Sequence, residues 1–301
     1  MSNTGQTLLV TGANGSLGRR VVELLLERGA GNVVALTRDP AKLKAFAERG
    51  VDVRKGDFDE PGPLTEAFAG VDRALLISTD KLDAPGARLK QHRAGVAAAA
   101  AAGVKHIVYT SGPSPHPDPA FVIADDHFWT EQAVIAAAPA GGWTMLRDNI
   151  YHEMVLMGLA SAMAGGKLFH ATRGGRRGYV AREDVAAVAV AALASDYTGT
   201  RILDVTGPEA LGQDDIAAIA SAVTGRTIEA VDVGFDGLKQ GMMQAGLPEP
   251  VADLFVGFDR EVSQGYYDIA TSAVKDLTGR EPTSFRAFLE ANRTALAGNA
   301  G

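Results

Sequence analysis

The stretch Leu8–Gly18, Leu-Leu-Val-Thr-Gly-Ala-Asn-Gly-Ser-Leu-Gly, limits what this chain can fold into more than any other. Three apolar residues read as a short buried strand, and glycines follow at 12, 15 and 18. Arg19–Arg28 then carries apolar residues at 21, 22, 24, 25 and 26, the pattern of an amphipathic helix. A strand, a tight Gly-rich turn and a helix in that order form the context of a dinucleotide fingerprint. Gly12 can take a backbone conformation closed to residues with a β-carbon, Gly15 lets the main chain approach a pyrophosphate, and Gly18 lets the helix lie close on the strand. The pyrophosphate is expected on the free N–H groups at the positive end of the helix dipole. The candidate cofactor contacts here are Gly12, Asn14, Gly15, Ser16, Leu17 and Gly18.

Asn32–Thr37 is a second strand, and Arg38 stands at its end, about twenty positions beyond the last glycine of the turn. An acidic residue there hydrogen-bonds the adenosine ribose of NAD, whereas an arginine accepts the 2′-phosphate of NADP. Arg38 therefore points to NADP(H) in preference to NAD(H), the alternative being a solvated loop cation. Asp39 is expected to cap the helical turn that Pro40 opens. Val51–Arg54 is a third strand, closed by Gly56-Asp57-Phe58-Asp59. Asp57, with the Phe58 backbone beside it, either meets the adenine or caps a helix at Pro63–Phe68. Ala74–Ile77 is a fourth strand, Leu89–Ala102 a helix ending in an alanine tract at Gly103, Val104–Tyr109 a fifth strand and Trp143–Leu146 a sixth. The carboxyl ends of strands line the ligand crevice of a doubly wound sheet. That places Ser78, Thr79, Thr110 and Ser111 as candidate contacts to the nicotinamide half. A proline-rich, non-helical loop follows, and Asp125 or Asp126 is expected to cap a helix over His127–Ala138.

Strands alternating with helices predict a parallel sheet with right-handed crossovers. The class is α/β: a Rossmann-type doubly wound parallel sheet with a smaller, mainly helical C-terminal substrate domain. Residues 1–150 form the cofactor domain, with 180–205 returning to the sheet. Residues 151–180 and 206–301 are read as a substrate-binding lid. The length of 301 residues has room for both, and 46% hydrophobic content is that of a chain with a sizeable core. A net charge of −7 argues against a nucleic-acid partner. No run of apolar residues is long enough to span a membrane, and the polar Met1–Gln6 leaves no room for a signal peptide. There is no cysteine, and the six histidines show no paired metal-ligand spacing. The expectation is a cytoplasmic, metal-free protein; a homodimer stays open.

Thr11–Gly18, Arg38-Asp39-Pro40-Ala41-Lys42, Gly56-Asp57, Leu75–Ser78, Ala102–Ile107, Tyr109–Ser111 and Leu146-Arg147 together resemble the NmrA-like atypical short-chain dehydrogenase/reductases. The resemblance covers nearly the whole chain, including Gly-Leu-Pro at 246–248, and is greatest to the quinone-reducing and triphenylmethane-reducing members. It implies NADP(H), an extended two-domain fold and redox chemistry on a small aromatic or quinonoid acceptor. The chain departs from ordinary short-chain dehydrogenases in having no Tyr-x-x-x-Lys proton-donor pair. By the resemblance, His127 stands near the expected tyrosine and Glu131 near the lysine, on one helix face. Where quinone-reducing relatives carry asparagine after the strand-six arginine, this chain has Asp148, followed by Asn149.

Reducing a simple ketone makes an alkoxide that needs a proton donor. Reducing a quinone makes a phenolate with a pKa of about 10, which hydrogen bonds stabilise and solvent protonates later. The missing pair therefore favours hydride transfer from NADPH to a quinone or related polycyclic aromatic carbonyl compound. The catalytic candidates are Tyr151, His127 and Asp148, and the candidate substrate contacts are Asn149 and Tyr151. Tyr151 either donates its hydroxyl to a substrate oxygen or simply packs. His127 either donates a proton near neutral pH or rests on a helix surface. Asp148 repels a developing phenolate, or acts as a base toward a phenolic substrate. Two other readings stay open. One is a tailoring enzyme of an aromatic polyketide-like metabolite, whose reduced quinone reacts with oxygen for a net oxygenation as a monooxygenase. The other is a non-catalytic NADP(H) sensor.

Overall fold

Near-continuous apolar runs, such as Leu8–Val10 and Val33–Leu36, need cover on both faces, as strands of a parallel sheet do. In chain order the computed structural model has β1 (Thr7–Val10), α1 (Ser16–Glu27), β2 (Asn32–Thr37), a 3-10 turn (Pro40–Leu43), α2 (Lys44–Ala47), β3 (Asp52–Lys55), α3 (Pro61–Ala67), β4 (Arg73–Leu76), α4 (Ala87–Ala101), β5 (His106–Ser111), α5 (Val122–Ala137), β6 (Gly142–Asp148), α6 (His152–Gly165), β7 (Lys167–His170), α7 (Arg182–Leu193), β8 (Gly199–Val205), α8 (Gln213–Thr224), β9 (Glu229–Asp232), α9 (Gly234–Gln244), α10 (Glu249–Ser263), α11 (Ala273–Thr278) and α12 (Phe285–Ala291). The structure describes residues 5–293, apart from the side chain of Met157. Residues 1–4 and 294–301, the outer ends of the two expected domains, lie outside the described residues.

Seven strands form one sheet in the order β3-β2-β1-β4-β5-β6-β8, and the ladders from β3 through β6 are parallel. The strand order reverses between β1 and β4, which is where a doubly wound sheet opens its ligand crevice. The chain divides into two units, Met1–Asp118, Val122–Asp148 and Val185–Leu203 in one, Pro119–Phe121, Asn149–Asp184 and Asp204–Gly301 in the other.

In the first unit, Leu9, Val34, Leu36, Ala74 and Ile107 of the sheet pack with Leu64, Phe68, Val96, Ala99 and Val134 from the helices. The alanine tract gives α4 a slim buried flank, and at Gly95 a β-carbon would lie 3.0 Å from the Phe58 ring. Arg73 opens β4 as a buried cation. It donates to the carbonyls of Leu193, Tyr197 and Ala192 at 2.8, 3.0 and 3.2 Å, at and just beyond the negative end of α7. Burial pulls its pKa down to about 10.

The second unit has its own core, with Leu159, Leu168, Ile216, Ala220, Phe285 and Leu289. Its helical reading needs one addition. Directly after Gly165-Gly166 comes β7, which pairs in parallel with β9 from Lys167↔Glu229 to His170↔Asp232. A second correction concerns α5, which begins at Val122, so that Asp125 lies in its first turn and Asp126 follows it. The two aspartates are not caps, because Val122-Ile123-Ala124 already carries the helix. Among the described residues no helix is long and apolar enough to cross a membrane.

Candidate functional site

The turn after β1 is built as its glycines require. Gly12 has φ +59°, a region open to glycine, and the Gly15 amide donates to its carbonyl at 2.8 Å. A β-carbon at Gly18 would lie 2.4 Å from the Gly12 carbonyl oxygen and 2.9 Å from Ala13 Cα, so only glycine lets α1 sit there. A β-carbon at Gly15 would meet the Gly12 oxygen at 3.2 Å and, among the described residues, no other atom within 4 Å. The N-cap residue, Gly15, has no side chain to cap the first amides of α1, and the first turn carries no acidic residue. Those N–H groups fit a pyrophosphate. Ser16 is exposed beside them, whereas Leu17 is buried and offers its backbone.

Arg38 is exposed at the end of β2, and Asp39 caps the 3-10 turn by accepting from the Ala41 amide at 3.2 Å. Arg19 was not legible as part of this place. Its Nη2 donates to Asn14 Oδ1 at 2.9 Å and to the Lys42 carbonyl at 3.3 Å, and its guanidinium lies 5.4 Å from the Phe46 ring centroid. The Asn14 oxygen is thereby committed to Arg19, which ties the glycine turn to the segment after Arg38. Asp57 closes an Asx turn by accepting from the Asp59 amide at 3.0 Å. It does not cap α3, whose N-cap is Glu60.

β4 ends at Leu76, yet the next three amides are all bonded to side chains. Ile77 N–H donates to Thr11 Oγ1 at 2.8 Å, Ser78 N–H to Thr110 Oγ1 at 2.8 Å, and Thr79 N–H to His92 Nε2 at 2.9 Å. Thr110 Oγ1 also donates to Ser78 Oγ at 3.3 Å. The buried Thr110 hydroxyl is therefore a support for the tip of β4. The Ser111 hydroxyl is buried too, and donates to Glu131 Oε1 at 2.7 Å.

Arg147 holds that same carboxylate with two bonds, Nε to Oε1 at 3.0 Å and Nη2 to Oε2 at 2.8 Å. Such bidentate pairs are among the stronger charge-assisted contacts. His127 lies under the backbone of Gly112, where a β-carbon would come within 2.8 Å of His127 Cδ2. Its Nε2 is 3.0 Å from Arg88 Nη2 and its Nδ1 2.8 Å from the Tyr109 hydroxyl. Burial first, then the charge of Arg88 and the neighbouring His92, hold its pKa well below the usual histidine range. His127 as a proton donor near neutral pH is thus corrected: the imidazole is neutral and sealed.

Asp148 ends β6 with its side chain buried. In the second unit, Tyr151 is half-buried, with the Arg182 guanidinium 5.4 Å from its ring centroid. The Asn149 amide donates to the Tyr267 carbonyl at 3.1 Å and its oxygen accepts from the Ile150 amide at 2.8 Å. Asn149 is therefore corrected from substrate contact to a backbone brace, since both ends of its amide are engaged.

Residues 12–196 match the NAD(P)H-binding family model. The chain is 31% identical to the NAD(P)H azoreductase of Xenophilus azovorans, over 96% of its own length and 99% of the relative's. It is an NmrA-like atypical short-chain dehydrogenase/reductase of the NAD(P)H-binding family. Two solved structures agree with this membership. NADPH-dependent quinone oxidoreductase from Escherichia coli, complexed with NADPH, superposes with a TM-score of 0.88 at 29% identity, over 94% of this chain and 99% of that one. Triphenylmethane reductase from Citrobacter sp., complexed with NADP(H), superposes with a TM-score of 0.86 at 29% identity, over the same shares. Like its relatives in this family, the chain is an NAD(P)H-dependent oxidoreductase.

Proposed function

We propose that this oxidoreductase takes NADPH in preference to NADH and reduces a quinone or a related polycyclic aromatic carbonyl compound. The observation that carries the reading is the state of the two residues standing for the tyrosine–lysine pair. His127 is neutral and covered, and Glu131 is bound by Arg147 and Ser111. Neither offers a proton to an alkoxide. Bound NADPH supplies the hydride. A quinone tolerates this site because its phenolate product is stable enough to wait for a solvent proton. Relatives named for reducing azo, quinone and triphenylmethane compounds support the choice of a conjugated acceptor. The assignment of substrate recognition to the second unit belongs to the same proposal.

Arg38 provides the preference for NADPH through a charge-assisted bond to the 2′-phosphate, worth roughly 1.5–3 kcal/mol. Arg38→Ala is expected to weaken NADPH about 10- to 100-fold by fluorescence titration, and NADH hardly at all. Equal affinities for the two cofactors in the unaltered protein would overturn this assignment.

In the proposed reaction Tyr151 donates a hydrogen bond to the substrate oxygen without releasing its proton, and Asp148 repels the developing phenolate. Tyr151→Phe is then expected to lower turnover by less than the ~10²–10⁴-fold typical of a lost general acid. Asp148→Asn is expected to raise turnover of simple quinones. Anaerobic stopped-flow mixing with a quinone panel reads both. No NADPH oxidation by any quinone or aromatic ketone would sink the substrate assignment, and oxidation that requires oxygen would replace it with net oxygenation.

A further inference from the structure

The Thr79 backbone lies beyond the ladder of β4, yet both its N–H and its C=O are held. Its N–H donates to His92 Nε2 at 2.9 Å, and its carbonyl accepts from Arg88 Nε at 2.7 Å. A backbone amide can only donate, so His92 Nε2 is the acceptor and its proton sits on Nδ1. From there it donates to Thr130 Oγ1 at 2.9 Å, whose own proton goes to the Asp126 carbonyl at 2.6 Å. A guanidinium likewise only donates. His127 Nε2 therefore accepts from Arg88, and its Nδ1–H donates to the Tyr109 hydroxyl at 2.8 Å. The Tyr109 hydroxyl also lies 3.3 Å from His92 Nδ1. These contacts close a circuit that starts and ends on Thr79, through His92, Tyr109, His127 and Arg88, with Thr130 bonded to His92 at its side.

All five of these side chains are buried. Burial holds both imidazoles neutral and raises the pKa of the Tyr109 phenol, while Asp126 Oδ2 faces the Arg88 charge at 3.4 Å. A fully satisfied polar circuit is rigid, and a partly satisfied one is costly. This one fixes the two peptide groups that flank Thr79, beyond the end of β4. The Oγ1 of that residue is buried and has no hydrogen-bond partner among the described residues.

We propose that Arg88 and His92 are positioning residues, which aim Thr79 Oγ1 at the nicotinamide riboside half of the cofactor. The proposal rests on the cofactor reading above and deepens it. Displacement of a support by about 1 Å can cost ~10²-fold at a reacting centre, so the circuit is felt at the nicotinamide end and not at the adenine end.

Calorimetric titration with NADPH and with 2′,5′-ADP, the adenosine half alone, separates the two ends. His92→Leu is expected to weaken NADPH about 10-fold and to leave 2′,5′-ADP within about 2-fold. His92→Gln should restore NADPH binding to within about 3-fold of the unaltered protein, because its oxygen can accept from Thr79 and its nitrogen can donate to Thr130. Thr79→Val keeps the shape, removes Oγ1 and should reproduce the split; it decides the matter if His92→Leu does not fold. Equal losses for both ligands, or no loss for NADPH, would overturn the proposal. Failure of the quinone reading looks different: no acceptor is reduced, yet the split persists. Failure of the Arg38 reading would show as 2′,5′-ADP binding no better than 5′-AMP, and the split is then read with NADH against 5′-AMP.

Discussion

Gly15→Val is expected to fold with an unchanged melting temperature and to lose NADPH binding by at least ~100-fold. Gly15 is the N-cap of α1 with φ −75° and ψ 167°, an extended conformation that valine adopts without strain. Within the protein its β-carbon needs only a few tenths of an ångström from the Gly12 oxygen, 3.2 Å away. The methyl groups instead occupy the approach to the first amides of α1, where the pyrophosphate is to sit. Gly18→Ala should behave in the opposite sense. Its β-carbon meets backbone atoms at 2.4, 2.8 and 2.9 Å, which cannot swing aside as a side chain would. Overpacking of this kind costs roughly 1–3 kcal/mol or more, so the melting temperature falls while residual binding follows the folded fraction. Thermal denaturation beside NADPH fluorescence titration separates the two. Normal NADPH binding by Gly15→Val would place the pyrophosphate elsewhere.

The second large effect is acid lability above the carboxylate range. Four histidines are buried and neutral. Desolvation takes His106 and His152 down to about 4, opposed at His106 by the Gly141 carbonyl and at His152 by that of Tyr179. Desolvation with the Arg88 charge takes His92 and His127 well below the usual range. In each case the unfolded chain, with a histidine pKa of about 6.5, binds a proton that the folded chain refuses. Stability present above pH ~6.5 is therefore lost as pH falls, and the loss from His106 and His152 levels off only near pH 4. A shift of this size corresponds to roughly 3 kcal/mol per imidazole, against a total stability of about 5–15 kcal/mol. The melting temperature should fall steeply between pH 6.5 and pH 5, where most carboxylates are still ionised. His106→Asn should start lower at pH 7 and fall with a shallower slope. A flat melting temperature across that interval would show that these imidazoles are not buried as neutral groups.

What the sequence made legible was local. The glycine turn, the alternation of strands with helices and the Asp39 cap each follow from neighbours within a few residues. Leu8–Val10 has no polar face to mislead, and Gly18 sits one turn from what it must touch. What stayed hidden depends on contacts between distant positions. β7 and β9 are four residues each, with charged or polar ends, and β7 buries only Leu168. Nothing in Lys-Leu-Phe-His marks it as a strand until Glu229–Asp232 lies beside it. Thr110 and Ser111 sit at the expected end of β5, but Ser78 and Glu131 take their hydroxyls from elsewhere in the chain. Arg19 and His92 lay inside helical patterns that already explained them. Asn149 was read as a substrate contact, although its side chain is a brace for the Tyr267 and Ile150 backbone.

The tip of β4 also bears on how such a protein can change. Ile77, Ser78 and Thr79 take their shape from Thr11 just after β1, Thr110 on β5 and His92 on α4, none of which adjoins them in the chain. A replacement at any of the three supports alters a peptide it does not belong to, and a replacement within the tip leaves its old supports waiting. Within this chain the six positions therefore act as one structural unit. A laboratory graft of this tip onto a related scaffold has to carry its three distant supports along with it, or it arrives as a loop without a fixed form.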